Sequence, residues 1–314
     1  MLVTILLFIG RHATRFMFFG VLAGLALPAL AEFLKPAFVP LLLIPLTLAL
    51  MRLDWQAFRA YSRRPGLILA LLIFLQVICP LLMLALLAPL HLPQALIAAA
   101  VLMAAAPPII SAAAIALILG LDVALAAIVV VLATALVPLT LPPLALLLLN
   151  ITIEMSLFEF MGRLALLVGL AFGVALILRR VVSASWLARN AKMLDGISVL
   201  NLVLFSITIM AGVTDKMRSD PAYVVLSILI AFIANLLLQG AGYGLGRLLF
   251  RLPPVAAVTL GLLTGNCNMG LVMVALGDRA EFDMIVFFAM GQLPMYMLPG
   301  LLHPLYRRLA RTGE

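Results

Sequence analysis

The run Thr264-Gly265-Asn266-Cys267-Asn268 carries the densest polar chemistry in an otherwise apolar part of the chain. Two carboxamides, a hydroxyl and a thiol can exchange hydrogen bonds with a small solute, but they include no base to activate a nucleophile. A second run, Pro107-Pro108-Ile109-Ile110-Ser111, sets two prolines inside another apolar stretch. Each proline lacks an N–H and clashes with the preceding turn, so a helix through Pro107 and Pro108 should be interrupted. Gly265 is expected to mark an equivalent break. Asn266, Asn268, Cys267, Thr264 and Ser111 are therefore the expected substrate contacts. A blander reading stands beside this one: the prolines only kink a helix, Asn266 and Asn268 bond neighbouring helices, and Cys267 is packing. Gln76, Gln292, Asn235 and Gln239 also lie in apolar stretches, and each either lines a cavity, with solute or an ion as partner, or joins two helices.

Titratable groups give less. Asp122 and Asp278 fall at expected helix starts, where capping of N–H groups competes with a proton-coupling role. Glu159 and Arg163, four apart, suit a local ion pair. His12, His91 and His303 sit at the borders of apolar stretches without an HExxH spacing, so no metal site and no resident cofactor is expected. Cys79 and Cys267 are the only cysteines, both in apolar stretches and far apart, and do not suggest a disulfide framework.

The elements that must position these residues are dictated by composition. Hydrophobic residues make up 66% of the 314, charged residues 10%, and the mean hydropathy is +1.29, which excludes a water-soluble fold. A bilayer core about 30 Å thick needs roughly 20 apolar residues per helix, so an all-α membrane protein with about ten crossings is expected. They fall at 16–31, 37–51, 66–90, 93–119, 123–149, 156–178, 197–213, 222–250, 256–276 and 284–306. The short run 2–9 cannot span and is expected at the membrane interface. The run from Phe16 to Ala31 also fits a cleavable signal peptide, which would leave nine helices and strip the first half of a partner the second half retains.

The net charge of +8 does not form a patch, so topology explains it better than a nucleic-acid partner. With a cytoplasmic N-terminus, the inner segments hold Arg11, Arg15, Arg52, Arg59, Arg63, Arg64, Arg179, Arg180, Arg189, Lys192, Arg247, Arg251, Arg307, Arg308 and Arg311, 15 of the 20 basic residues. Outer loops hold Lys35, Lys216, Arg218 and Arg279 and most of the acids, among them Glu154, Asp215, Asp220, Asp278, Glu281 and Asp283. Both termini are thus expected in the cytoplasm, with Trp55, Tyr61 and Trp186 as anchors near the inner border. Direct insertion into a membrane of the bacterial inner type is the simplest localisation.

An offset of 156 superposes Pro65 on Pro221, Asp122 on Asp278, Pro138 on Pro294 and Pro143 on Pro299. Five helices per half turn the second copy over, and the charges agree: Arg63-Arg64 precedes Pro65, whereas Ser219-Asp220 precedes Pro221. The expected organisation is an inverted repeat, residues 1–151 and 152–314, with breaks in the fourth and ninth helices. Paired interruptions of this kind point to a substrate site in repeat-built transporters.

The stretches APPIISAAAIALILGLDVALAAIVVVLATALVPL, 106–139, and GLLTGNCNMGLVMVAL, 261–276, resemble the bile acid:sodium symporter family, within the wider group of bile acid, arsenite and auxin-type carriers. The resemblance implies a five-plus-five inverted plan with crossed, broken fourth and ninth helices. It also implies a panel of helices 1, 2, 6 and 7, a core of helices 3–5 and 8–10, and a substrate cavity between them on the cytoplasmic side. At the positions where sodium-coupled relatives have Ser-Asn, this chain has Ala112 and Ala113. Hydroxyl positions in the fifth helix fall on Ala126 and Val130, the acidic residue on Leu263, and a glutamine on Cys267; Gln76 survives as a counterpart. Since Na⁺ wants several oxygen ligands, these replacements put the sodium mechanism in doubt.

The expected function is secondary transport, by alternating access, of a small or amphipathic organic solute. An organic anion is favoured because half-helix N-termini are positive and no acid lies at the expected midplane. The alternative is a membrane-embedded binding or sensing protein without net transport; an intramembrane enzyme has no visible constellation to support it. Partners are the small-molecule substrate and the lipid bilayer. Coupling ion, direction of transport and oligomeric state stay open.

Overall fold

A computed structural model describes residues 2–52, 61, 63–149 and 155–311. Trp55, Arg59, Glu154 and the boundary between 151 and 152 lie outside the described residues.

The described residues are mostly helical, with no strand among them. In order the helices are α1 Leu2–Arg11, α2 Ala13–Ala26, α3 Pro28–Leu34, α4 Phe38–Met51, α5 Pro65–Ile73, α6 Cys79–Leu87, α7 Gln94–Ala105, α8 Ala112–Leu119, α9 Val123–Leu149 and α10 Leu157–Val181. They continue as α11 Ala184–Arg189, α12 Ala191–Thr208, α13 Val213–Ser219, α14 Pro221–Leu248, α15 Pro254–Gly265, α16 Met269–Leu276, α17 Phe282–Met290, α18 Gln292–Leu301 and α19 His303–Arg311. Proline opens α3, α5, α14 and α15, where its missing N–H costs nothing. A π-helical segment, Phe74–Ile78, joins α5 to α6 ahead of Pro80.

Among the described residues, seven helical stretches are long and apolar enough to cross a membrane: Pro28–Met51, Pro65–Leu90, Val123–Leu148, Leu157–Val181, Ala191–Ser219, Pro221–Leu248 and Phe282–Leu301. Three apolar helices are shorter, Arg15–Ala26, Gln94–Ala105 and Pro254–Gly265. Exposed apolar side chains such as Leu147, Phe158, Leu166 and Leu248 need lipid around them. The protein is an integral membrane protein.

Two compact units divide the chain. One comprises Met1–Leu53 and Leu166–Leu226 and is built on α12, against which α1, α2, α3 and α4 pack. A Cβ on Gly196 would lie 2.3 Å from the Leu6 carbonyl oxygen, so only glycine lets α1 lie so close to α12. Farther along, a Cβ on Gly24 would meet the Ile207 carbonyl oxygen at 2.6 Å, so α1 and α2 run parallel to α12. α4 runs the other way: Phe38 stacks on Phe205 with ring centroids 5.0 Å apart, and Arg52 Nη1 lies 2.5 Å from Asp195 Oδ1.

This arrangement corrects the expected N-terminal segments. The first apolar helix ends at Ala26 and the chain turns at Leu27, so Pro28–Met51 is one apolar stretch in place of separate runs divided near residues 32–36. The run 2–9, too short to span, is part of α1 and packs along α12.

The second unit comprises Asp54–Ala165 and Ser227–Glu314 and holds α5 to α9 and α15 to α19. Phe287, Phe288, Met83, Leu96, Leu102, Met103, Leu125 and Ile128 are among its fully buried side chains. α7 packs against α6 and α17, α9 against α15, and α15 against α19.

Candidate functional site

α7 stops because Pro107 and Pro108 cannot donate to the preceding turn. Ala106 turns extended, at φ −67° and ψ 149°, and the chain regains a helix only at Ala112. α15 likewise ends at Gly265, and α16 starts at Met269. Each break frees backbone groups that an apolar environment cannot satisfy. They satisfy one another: Ile109 N donates to Asn266 O at 2.7 Å and Asn268 N donates to Pro107 O at 2.7 Å. Pro108 thus faces Cys267 in a short antiparallel bridge, and the two broken helices are tied at their breaks.

A polar relay holds the second break from behind. Asn235 Nδ2 donates to the Gly265 carbonyl at 2.7 Å, Gln239 Nε2 to Asn235 Oδ1 at 2.5 Å, and the Tyr306 hydroxyl to Gln239 Oε1. The Thr264 hydroxyl is spent on α14 and its own helix, within 2.8 Å of the Leu238 and Gly261 carbonyls. Glycines make this approach possible: a Cβ on Gly242 would lie 2.3 Å from Thr264 Oγ1, and one on Gly265 2.3 Å from Gln239 Cγ.

The side chains of the break itself are mostly engaged. Cys267 Sγ donates to Thr264 O at 3.2 Å, and Asn268 Oδ1 caps α16 by accepting from Leu271 N at 3.2 Å. Asn266 Nδ2 donates to Leu262 O at 2.8 Å, but its Oδ1 is buried without a hydrogen bond. The same is true of Gln292 Oε1, Thr134 Oγ1 and Ser227 Oγ, all in this unit. Buried polar atoms are nearly always paired, so these four oxygens are hydrogen-bonding capacity the fold leaves unused.

Thr264, Gly265, Asn266, Cys267 and Asn268 come together with Pro107 and Pro108, and Asn235 joins them through Gly265. Ser111 precedes α8, half-buried, and makes no side-chain cap. Gln76 sits in the π-helical segment and donates to Ala133 O of α9 at 2.7 Å, and Gln292 Nε2 turns back to Phe288 O at 3.2 Å. The end of α17 nevertheless lies beside the break, since a Cβ on Gly291 would stand 2.7 Å from Met269 Sδ.

At the positions where the resemblance leads one to expect sodium ligands, the side chains are hydrocarbon. Ala112, Ala126, Val130 and Leu263 are buried and Ala113 half-buried, and none offers an oxygen from its side chain. The carbonyls of Pro107, Asn266, Gly265, Thr264 and Cys267 accept from Asn268 N, Ile109 N, Asn235 Nδ2, Cys267 Sγ and Met269 N. The side chains of Ala112, Ala113, Ala126, Val130 and Leu263 therefore supply none of the oxygen ligands a hard cation takes.

Asp122 caps α9 by accepting from Leu125 N at 2.9 Å, also accepts from the Tyr61 hydroxyl, and donates its own N–H to Thr259 Oγ1 at 2.9 Å. Burial, reinforced by Asp122, pushes the Tyr61 phenol well above its ordinary value. Asp278 does not repeat the cap: it lies in a 3-10 turn, Gly277–Arg279, and α17 begins beyond Ala280 and Glu281. Arg163 pairs with Glu159 at 2.9 Å, as the spacing suggests, and donates to Leu276 O at 3.3 Å.

Sequence reasoning missed Thr134 and Tyr306. Thr134 lies four and eight residues beyond Val130 and Ala126, on one face of α9, so periodicity could have found it. Nothing local to Tyr306 announces that its hydroxyl reaches Gln239, 67 residues away.

Long apolar helices and two interrupted helices tied at mid-length by a polar crossing are the parts of a membrane carrier. The model of the sodium bile acid symporter family matches residues 39–220, more than half of the chain, so the chain belongs to this family of membrane transporters. The match contains the first break and ends before the second. No curated protein matches the sequence.

Proposed function

We propose that the chain is a secondary transporter of a small or amphipathic organic anion that works by alternating access without sodium at the positions its relatives use. The observation that carries this reading is the crossing: two breaks bridged through Pro107, Ile109, Asn266 and Asn268, beside carbon at the expected ion-ligand positions. The first turn of α8, uncapped by Ser111, offers N–H groups and a positive helix end to an anion. The unpaired oxygens of Asn266 and Gln292 suit hydroxyl or amide donors on the same solute.

Ten crossings in an inverted repeat explain the element lengths. α7 and α15 have 12 residues each, α8 and α16 have 8 each, and a glycine of positive φ follows each short helix, Gly120 at φ 69° and Gly277 at φ 56°. The units Met1–Leu53 with Leu166–Leu226 and Asp54–Ala165 with Ser227–Glu314 support a panel and a core. Substrate contact is assigned to Asn266, Asn268 and Ser111, with Cys267 alongside; Thr264 holds α14 to α15.

Thermal unfolding of the purified protein across a panel of organic anions, each in a sodium and a matched choline salt, tests this. An anion that raises the midpoint equally in both salts, and is then taken up by proteoliposomes, is expected. Stabilisation that requires Na⁺ defeats the sodium-free reading. No uptake of any anion by the folded protein defeats the carrier reading. Asn266→Ala should weaken the stabilising anion without unfolding the protein.

A further inference from the structure

α19, His303–Arg311, has two unlike faces. Tyr306 is buried and bonded to Gln239, while Arg307, Arg308 and Arg311 are exposed. With Pro304 these three arginines line a groove of about 480 Å³. Among the described residues none of the three forms an ion pair. Three guanidinium groups within five residues repel one another, and a group that bridges them with several acceptor oxygens relieves that repulsion. Phosphate does so through charge-assisted hydrogen bonds to its several oxygens.

We propose that this groove binds the headgroup phosphate of an anionic phospholipid. Position selects a lipid over other phosphates, because α19 comes after the apolar stretch Phe282–Leu301 with a single residue between them. The groove therefore lies at the end of a membrane-crossing helix, where headgroups are concentrated. Leu305, 46% exposed beside the arginines, supplies an apolar contact for the acyl region. Basic residues at such a position attract anionic lipid strongly. The site is more than a surface ornament: α19 packs on both α15 and α8, the half-helices that flank the two breaks, and its Tyr306 ends the relay to Gly265. Lipid held by the arginines thus steadies the helix that braces the crossing.

The test uses the full chain in neutral detergent, where both ends of every helix are accessible and no assumption about orientation enters. Native mass spectrometry and thermal unfolding are run with phosphatidylglycerol, with phosphatidylcholine and with inorganic phosphate alone. Phosphatidylglycerol should add as a bound adduct and raise the unfolding midpoint, with the shift shrinking at high salt. The triple variant R307Q/R308Q/R311Q should bind it on the order of a hundredfold more weakly, as expected for three such charges. The triple lysine variant should keep most of the binding, and serves if the glutamine variant does not fold. Equal effects of the two lipids, unchanged binding in R307Q/R308Q/R311Q, or loss of binding in the lysine variant despite a folded protein would overturn the charge-based site. Stabilisation by inorganic phosphate as large as that by lipid would overturn the lipid assignment in favour of a free phosphate.

Discussion

The carbonyl of Gly265 shows how single residues keep a broken helix stable in an apolar medium. It has no intrahelical partner, and lipid supplies none, so the protein brings Asn235 to it and orients Asn235 through Gln239 and Tyr306. Asn235→Ala leaves that carbonyl unpaired and strips Gln239 of its acceptor, which should cost about 1–3 kcal/mol. Tyr306→Phe removes only the last bond and should cost about 1 kcal/mol or less, near the mean for bonds between membrane helices. Reversible unfolding in detergent measures both; a larger loss for Tyr306→Phe than for Asn235→Ala would contradict the order of the relay. Asp122 is the matching case at the start of α9. Its carboxylate caps Leu125 N and accepts from Tyr61, so Asp122→Asn should keep the cap, while Asp122→Ala should lose about 1 kcal/mol. If Asp122→Asn instead abolished transport while leaving stability intact, a proton-coupling role would displace the capping one. The breaks at Pro107, Pro108 and Gly265 were legible because proline and glycine act locally. The engagement of Thr264 with Leu238 was not, because that partner sits on another helix 26 residues away.

Among the elements, the pair α14 and α15 shows why composition alone misplaces energy. Gly242 and Gly240 are two residues apart on α14, yet a Cβ on Gly242 would meet Thr264 Oγ1 at 2.3 Å and Gly261 Cα at 3.0 Å, while one on Gly240 would meet nothing within 4 Å. Gly242→Ala must push α15 and its break away from α14 and should cost about 1–3 kcal/mol. Gly240→Ala gains helix propensity without a clash and should be neutral or stabilising by up to about 1 kcal/mol. Unfolding midpoints that move alike in the two variants would refute the close contact. The same close packing explains the misplaced first helix. Arg11, His12 and Arg15 interrupt the hydropathy near the N-terminus, which makes 2–9 look detached from the apolar run that begins at Phe16. The structure instead continues α1 into α2 along α12, with Gly196 against Leu6 and Gly24 against Ile207. A hydropathy profile registers the charges and cannot register a glycine that meets its partner nearly 200 residues away.

For the whole molecule, the issue is whether one half is the other turned over. Arg63 and Ser219 decide it, because the offset of 156 makes them equivalent, and they stand two residues before the prolines that open α5 and α14. Both are exposed, and both native cysteines, Cys79 and Cys267, are buried, so a membrane-impermeant maleimide should find little background. In intact cells the reagent should label Ser219→Cys. It should reach Arg63→Cys only after the membrane is permeabilised, because Arg63-Arg64 belongs with the cytoplasmic arginines. Labelling of both from the same side would abolish the inverted repeat and with it the equivalence of the two breaks. The expected pattern has a mechanical consequence. If the two sites label from opposite faces, the two broken helices enter the membrane in opposite senses, which is the arrangement the proposed alternating access requires.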